Sequence, residues 1–150
     1  MADLMTLSRH ILQREAQYAA ATGEFTILLS HIATAAKIVA RNVSRAALID
    51  VLGVTGQTNI QGEEVTKLDV LANDLLIASL DELPMVCALA SEESDEFYRT
   101  RVGRTSGRYL VCFDPLDGSS NIDANVSIGT IFSIHAREEI GKPANEEDFF

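Results

Sequence analysis

Asp114-Pro115-Leu116-Asp117-Gly118-Ser119-Ser120-Asn121 follows directly on the apolar run Tyr109-Leu110-Val111-Cys112-Phe113. The apolar run predicts a buried strand. Pro115 holds its own φ and biases Asp114 towards extended backbone. Two carboxylates three residues apart thus stand at the end of a stiff element, which suits a hard cation such as Mg2+. Leu116, between them, has a main-chain carbonyl to offer as a further oxygen ligand. Gly118, Ser119 and Ser120 add backbone N–H groups and hydroxyls, and a helix beginning near Ser119 would make of them an anion site suited to phosphate. Cation on one side and phosphate on the other is what metal-assisted hydrolysis of a phosphate ester requires. An acidic surface turn is the competing reading, because Asp, Pro, Gly, Ser and Asn are the commonest turn formers.

Two further acidic groups lie upstream. Ser91-Glu92-Glu93 closes the apolar run Met85-Val86-Cys87-Ala88-Leu89-Ala90, and Gly62-Glu63-Glu64-Val65-Thr66-Lys67-Leu68-Asp69 leads into a helix. Taken singly, Glu92-Glu93 reads as a solvated loop pair and Glu63-Glu64 as a helix-start signal. If the strands ending at Glu92 and Asp114 are neighbours, however, the carboxylates of Glu63, Asp69, Glu92, Glu93, Asp114 and Asp117 converge. Carboxylates so placed repel one another unless divalent cations supply the opposing charge.

Composition narrows the classes. The chain has 150 residues, 47% of them hydrophobic, and a formal net charge of −10. That length fits one domain with a core of its own. The acidic balance argues against nucleic acid as a partner, which needs clustered Lys and Arg. No apolar run reaches the length of a membrane span. The N-terminus carries acidic Asp3 and lacks both the apolar core of a secretory signal and a Ser- and Arg-rich transit extension, so a cytoplasmic protein is expected. Cys87 and Cys112 fall in apolar runs and are expected to be buried, reduced thiols.

The pattern predicts a first helix over residues 1–21, ending at Ala19-Ala20-Ala21, and a long helix from Phe25, with Phe25, Leu28, Leu29, Ile32, Ala36, Val39 and Val43 on one face that packs. Val54 to Gly62, rich in Gly, Thr, Asn and Gln, reads as a mobile loop. A third helix is predicted over Leu68–Leu80 and strands near 85–90, 109–113 and 127–136, with a charged connection from Glu92 to Arg108. Helices followed by strands predict an α+β, layered architecture.

DPLDGSSNID, the preceding SEE, TNIQGEEVTKLDVLANDLL and TGEFTILL occur in this order and at suitable spacing. Together they resemble the N-terminal half of class I fructose-1,6-bisphosphatase, of the lithium-sensitive, magnesium-dependent sugar phosphatase group, from about Leu12 to Arg137. The resemblance implies a layered α/β sugar-phosphatase fold with helices flanking mixed sheets. It implies that residues 1–150 are the N-terminal domain of a two-domain enzyme, truncated before its second domain. It implies roughly two or three Mg2+ ions per subunit, with Mn2+ or Zn2+ as substitutes, held by Glu63, Asp69, Glu92, Glu93, Asp114, Asp117 and the carbonyl of Leu116. Asp69, Glu93 and Glu63 become the candidates to orient and deprotonate water, and Asp117, Gly118, Ser119 and Ser120 to hold the 1-phosphate of a sugar bisphosphate in gluconeogenesis. Glu63 stands where an aspartate is common.

The same resemblance implies an AMP inhibitor site at Thr22, Gly23, Glu24, Phe25 and Thr26 with Arg108 and Tyr109, Arg108 replacing the usual lysine. The family's arginine near the last strand falls at Ala136, with Arg137 after it, and His135 replaces a common tyrosine. A homotetramer is implied as well. Sedoheptulose-1,7-bisphosphatase and inositol phosphatase specificities stay open, as does a non-catalytic AMP-binding or oligomerisation module.

Overall fold

The computed structural model describes residues 5–19, 21–45, 54–58, 64–120 and 127–149. Its elements are α1 (Leu7–Glu15), α2 (Glu24–Val43), β1 (Val54–Thr58), β2 (Glu64–Thr66), α3 (Lys67–Leu80), β3 (Val86–Ser91), β4 (Tyr98–Arg99), β5 (Tyr109–Asp117) and β6 (Gly129–Ala136), then a 3₁₀ turn over Glu146–Phe149. The expected α+β layers are present: a mixed four-stranded sheet in the order β4-β3-β5-β6, with helices against it. β3 and β5 run parallel, and the two outer pairings are antiparallel.

Local chemistry accounts for the helices. Thr6 caps α1, its Oγ1 accepting the Arg9 amide at 3.2 Å. The helix is shorter than the 1–21 expected: the Gln17 amide donates to Arg14 O at 3.0 Å, an i−3 bond that tightens and closes the last turn. In α2 the buried positions are Leu28, Ile32, Ala35 and Val39, spaced by four, three and four. Ala35 rather than Ala36 faces the core, and Phe25 lies at the exposed end of the stripe. The Thr66 hydroxyl accepts the Asp69 amide at 3.2 Å while the Asp69 carboxylate accepts the Thr66 amide at 2.7 Å, a reciprocal capping box that starts α3.

The Val54–Gly62 loop is corrected in its first half. Val54–Thr58 is a strand, paired antiparallel with β2, and the Thr55 hydroxyl donates to Val65 O at 2.9 Å. β-Branched Val and Thr on both sides outweigh the turn-forming Gly and Asn. Residues 59–63, Glu63 among them, lie outside the described residues.

The core lies between helices and sheet. Leu28 and Ile32 of α2 and Leu76 and Leu80 of α3 meet Val86, Leu89, Val111 and Phe113 of β3 and β5. On the other face, Cys87, Ala88 and Leu110 are covered by Ala144, with Phe97 and Phe149 beside them. β3 is thus buried on both faces, as parallel strands are, which explains its unbroken apolar sequence. Cys87 is fully buried, as expected. Cys112 is only half-buried, because its strand position faces the more open side of the sheet, and both thiols are free. Burial pushes both thiols above their ordinary pKa. Among the described residues, no helix is long and apolar enough to cross a membrane.

The charged connection between β3 and β5 is anchored by Asp81. Its Oδ1 accepts the Arg101 amide at 2.8 Å and its Oδ2 accepts Arg101 Nε. Burial pushes the Asp81 carboxyl up, but the Arg101 amide, its guanidinium and the Tyr98 hydroxyl outweigh burial and hold the group below the ordinary value of 3.8. A carboxyl with a depressed folded pKa stabilises the fold above its unfolded pKa, and that contribution disappears as pH falls through the folded one. The unfolding midpoint in urea is therefore expected to drop as pH is lowered below 3.8. Asp81→Asn should be less stable than wild type at pH 7 and flatter across that acid limb. Parallel acid limbs for the two proteins would exclude Asp81 from this role.

Candidate metal and phosphate site

β5 is longer than the apolar pattern indicates. It continues from Phe113 through Asp114, Pro115, Leu116 and Asp117, so the signature run is the end of the strand itself. The pairing with β6 puts Asp114 opposite Ile131 and Asp117 opposite Gly129, with an irregularity between them. Pro115, which has no N–H to give a ladder, occupies that irregular stretch. Its carbonyl accepts the Thr130 hydroxyl at 3.0 Å. Leu116 is buried and packs with Val39, Leu68 and Ala72, tying the signature to α2 and to the first turn of α3.

The parallel β3 stops beside it. Ser91 pairs with Phe113, and the Glu92 amide donates to Phe113 O at 3.0 Å. Ser91 Oγ donates to Asn73 Oδ1 of α3 at 2.7 Å and accepts the Glu93 amide at 3.2 Å. Strand end, helix and acidic pair are thus held by one hydroxyl. Glu92 and Asp114 line a common cavity of ≈ 420 Å³ with Ser91, Phe113, Ile131 and Phe132. A cleft at the carboxyl ends of adjacent parallel strands is the usual ligand position in such sheets.

Glu92 and Asp114 are the two acids that share this cavity. Among the described residues, no three His, Cys, Asp or Glu side chains stand close enough together to hold a metal ion. Two carboxylates are turned onto main-chain N–H groups instead: Asp114 Oδ1 accepts the Leu116 amide at 2.9 Å, and Asp69 Oδ2 the Thr66 amide. Asp69 is nevertheless buried, and its Oδ1 has no hydrogen-bond partner. A buried carboxylate oxygen left without a donor is costly, and carboxylate oxygen is the donor type that a hard cation takes. Glu93 has a buried Oε2, while Asp117 is exposed at the strand end.

Gly118 follows with φ 84, the left-handed region that a side chain disfavours, and turns the chain sharply off β5. Ser119 and Ser120 then carry 3₁₀ backbone rather than the start of an α-helix, and residues 121–126 lie outside the described residues. The feature sequence reasoning missed is Asn73, which fastens α3 to the acidic strand end. Its helical spacing from Asp69, four residues earlier, was the available signal.

Because Thr66 starts α3, Thr66→Ala is expected to cost about 1 kcal/mol in chemical unfolding. A loss near zero would mean that the cap contributes nothing to placing Asp69.

The second predicted site lies at the start of α2. Gly23 precedes the helix without a capping side chain, and the Thr22 hydroxyl donates to Glu24 Oε2 at 3.3 Å. The Phe25 ring lies 6.0 Å from that of Tyr109, which brings Thr22–Thr26 and Tyr109 together. Thr26 Oγ1 is buried without a hydrogen-bond partner. Arg108 is exposed. Ala136 pairs with Tyr109 across the ladder, and Arg137 is buried in the protein interior.

The family model described as "Fructose-1-6-bisphosphatase, N-terminal domain" matches residues 5–150. The class 1 fructose-1,6-bisphosphatase of Maridesulfovibrio salexigens is 47% identical over 149 residues, 99% of this chain and 44% of that protein. The cytosolic fructose-1,6-bisphosphatase of a Saccharum hybrid is 51% identical over 134 residues, 89% of this chain and 38% of that protein. Among solved structures, Leishmania major fructose-1,6-bisphosphatase in holo form superposes with a TM-score of 0.83 at 37% identity, covering 98% of this chain and 43% of that one. The T-state form of the same enzyme gives 0.73 at 35% identity, with 98% and 42% covered. The chain therefore spans less than half the length of the curated relatives it matches.

Proposed function

The chain belongs to the fructose-1,6-bisphosphatase family, and from that membership we propose that it supplies the metal and 1-phosphate half of a Mg2+-dependent phosphatase converting fructose 1,6-bisphosphate to fructose 6-phosphate and phosphate. The observation that carries this reading is the cavity shared by Glu92 and Asp114 at the carboxyl ends of β3 and β5.

Glu92, Glu93, Asp114, Asp117, Asp69, Glu63 and the Leu116 carbonyl would hold the cations, with Mg2+ preferred over Mn2+ or Zn2+ for an all-oxygen set. When bound, such ions neutralise phosphate charge and acidify a water molecule. Asp69, Glu93 and Glu63 are the carboxylates to orient that water and accept its proton. Asp117 and the Gly118–Ser120 turn, with its N–H groups and hydroxyls, receive the 1-phosphate. The sugar and its second phosphate need contacts that these residues do not include. We place the protein in the cytoplasm and in a homotetramer on the strength of the family alone.

A second reading is favoured by the Phe25–Tyr109 contact: an inhibitory AMP site at the start of α2, built from Thr22–Thr26, Arg108 and Tyr109. The free N–H groups of a helix start favour a phosphate there.

The test is phosphate release from fructose 1,6-bisphosphate, with and without Mg2+, by the 150-residue chain and by the complete reading frame that encodes it. Mg2+-dependent release by the complete frame is expected. Release from sedoheptulose 1,7-bisphosphate or an inositol phosphate in its place would move the substrate, and release from none would leave a binding or oligomerisation module.

A further inference from the structure

Arg137 is the only buried Lys or Arg among the described residues, 6% exposed at the end of β6. Its guanidinium is spent on main chain rather than on a carboxylate. Nε donates to Gly107 O at 2.9 Å, Nη1 to Lys142 O at 2.7 Å and Nη2 to Thr105 O at 2.7 Å. Its amide donates to Arg108 O at 2.9 Å. One residue thus grips the turn before β5, the first residue beyond that turn, and the segment after β6.

That turn has little freedom of its own. Gly107 N donates to Gly103 O at 2.7 Å, and both glycines lie against the Val86 backbone. It runs straight into Arg108 and Tyr109. The Tyr109 amide is held by Met85 O at 2.8 Å, and the Tyr109 ring meets Phe25 in the first turn of α2. Burying a guanidinium without a carboxylate is expensive, and what this one secures is the path of residues 105–109.

We propose that Arg137 is a positioning residue for a nucleoside monophosphate at the start of α2, clamping Thr105, Gly107 and Arg108 so that Arg108 and Tyr109 are presented beside Thr22–Thr26. The proposal rests on the AMP reading given above. A lysine cannot replace the clamp, because a single ammonium does not span the carbonyls that a planar fork of donors reaches.

The experiment is AMP titration by calorimetry into the 150-residue chain, wild type against Arg137→Lys and Arg137→Gln. Circular dichroism at the same temperature keeps the comparison to folded protein. AMP affinity is expected to fall at least tenfold in Arg137→Gln and by a smaller factor in Arg137→Lys, with the AMP-induced shift of the Tyr109 ring protons reduced in both. A role confined to stability would lower the melting temperature and leave the affinity of the folded fraction alone. If Arg137→Gln does not fold, Arg137→Lys decides. Wild-type binding matched by folded Arg137→Lys, with the same Tyr109 shift, overturns the positioning role alone. A wild type that gives no heat with AMP overturns the AMP reading, and the positioning role with it.

Discussion

The complete reading frame carrying Asp117→Asn is expected to lose Mg2+-dependent release of phosphate by more than about 100-fold, beyond the 10–100-fold typical of losing a partner outside the ligand shell. The side chain is exposed at the end of β5, and its backbone pairing is with Gly129. No core contact is removed, so the unfolding free energy in urea should stay within about 0.5 kcal/mol of wild type. The amide keeps the shape of the carboxylate and removes its charge. The defect should therefore appear in the Mg2+ concentration needed for half-maximal rate as well as in the rate itself. Wild-type turnover at wild-type Mg2+ would take Asp117 out of the metal site and leave the proposed hydrolysis to the carboxylates of Glu92, Glu93, Asp114 and Asp69.

The second large effect concerns folding. A Cβ added at Gly103 would stand 1.9 Å from Val86 O and 2.9 Å from Pro84 O, both main-chain atoms. Neither can move without displacing β3 from its place between β4 and β5. Gly103→Ala is therefore expected to cost at least about 3 kcal/mol, the upper end of overpacking penalties, or roughly 6–12 °C in melting temperature. Because β3 ends at Ser91, the displacement also reaches Glu92 and Glu93. Gly129→Ala is the matched control: nothing lies within 4 Å of its added Cβ, and it should be nearly neutral. Equal melting temperatures for the two variants would mean that the 103–107 turn does not set the position of β3.

Much of the architecture was legible because apolar spacing in this chain is regular. Leu28, Ile32 and Val39 lie on the helical stripe that the pattern predicts, and the apolar runs at 85–90 and 109–113 are the two parallel strands. Local rules failed where two of them competed. In Val54–Thr58, Gly and Gln suggested a loop, but pairing with Glu64 and Thr66 made a strand. In Asp114–Asp117, proline and aspartate suggested a turn, but β6 supplied a partner strand that carries the segment on to Asp117. Arg137 shows a different limit. Its place in the sequence, next to Ala136, carries no sign of burial, and only the fold shows its donors consumed by Thr105, Gly107 and Lys142.

Residue types and their order by themselves determined the donor chemistry: carboxylates in three clusters, a Gly-Ser-Ser turn after the last of them, and an acidic net charge. These are properties of side chains and short spacings, which neighbours along the chain already dictate. Tertiary structure alone decided which of those groups meet. The parallel pairing of β3 with β5 sets Glu92 against the strand carrying Asp114, and Leu116 fastens that strand to the capped start of α3 at Asp69. Contacts between residues twenty or more positions apart depend on which apolar faces bury one another most completely, and a linear pattern of acids carries no record of that choice.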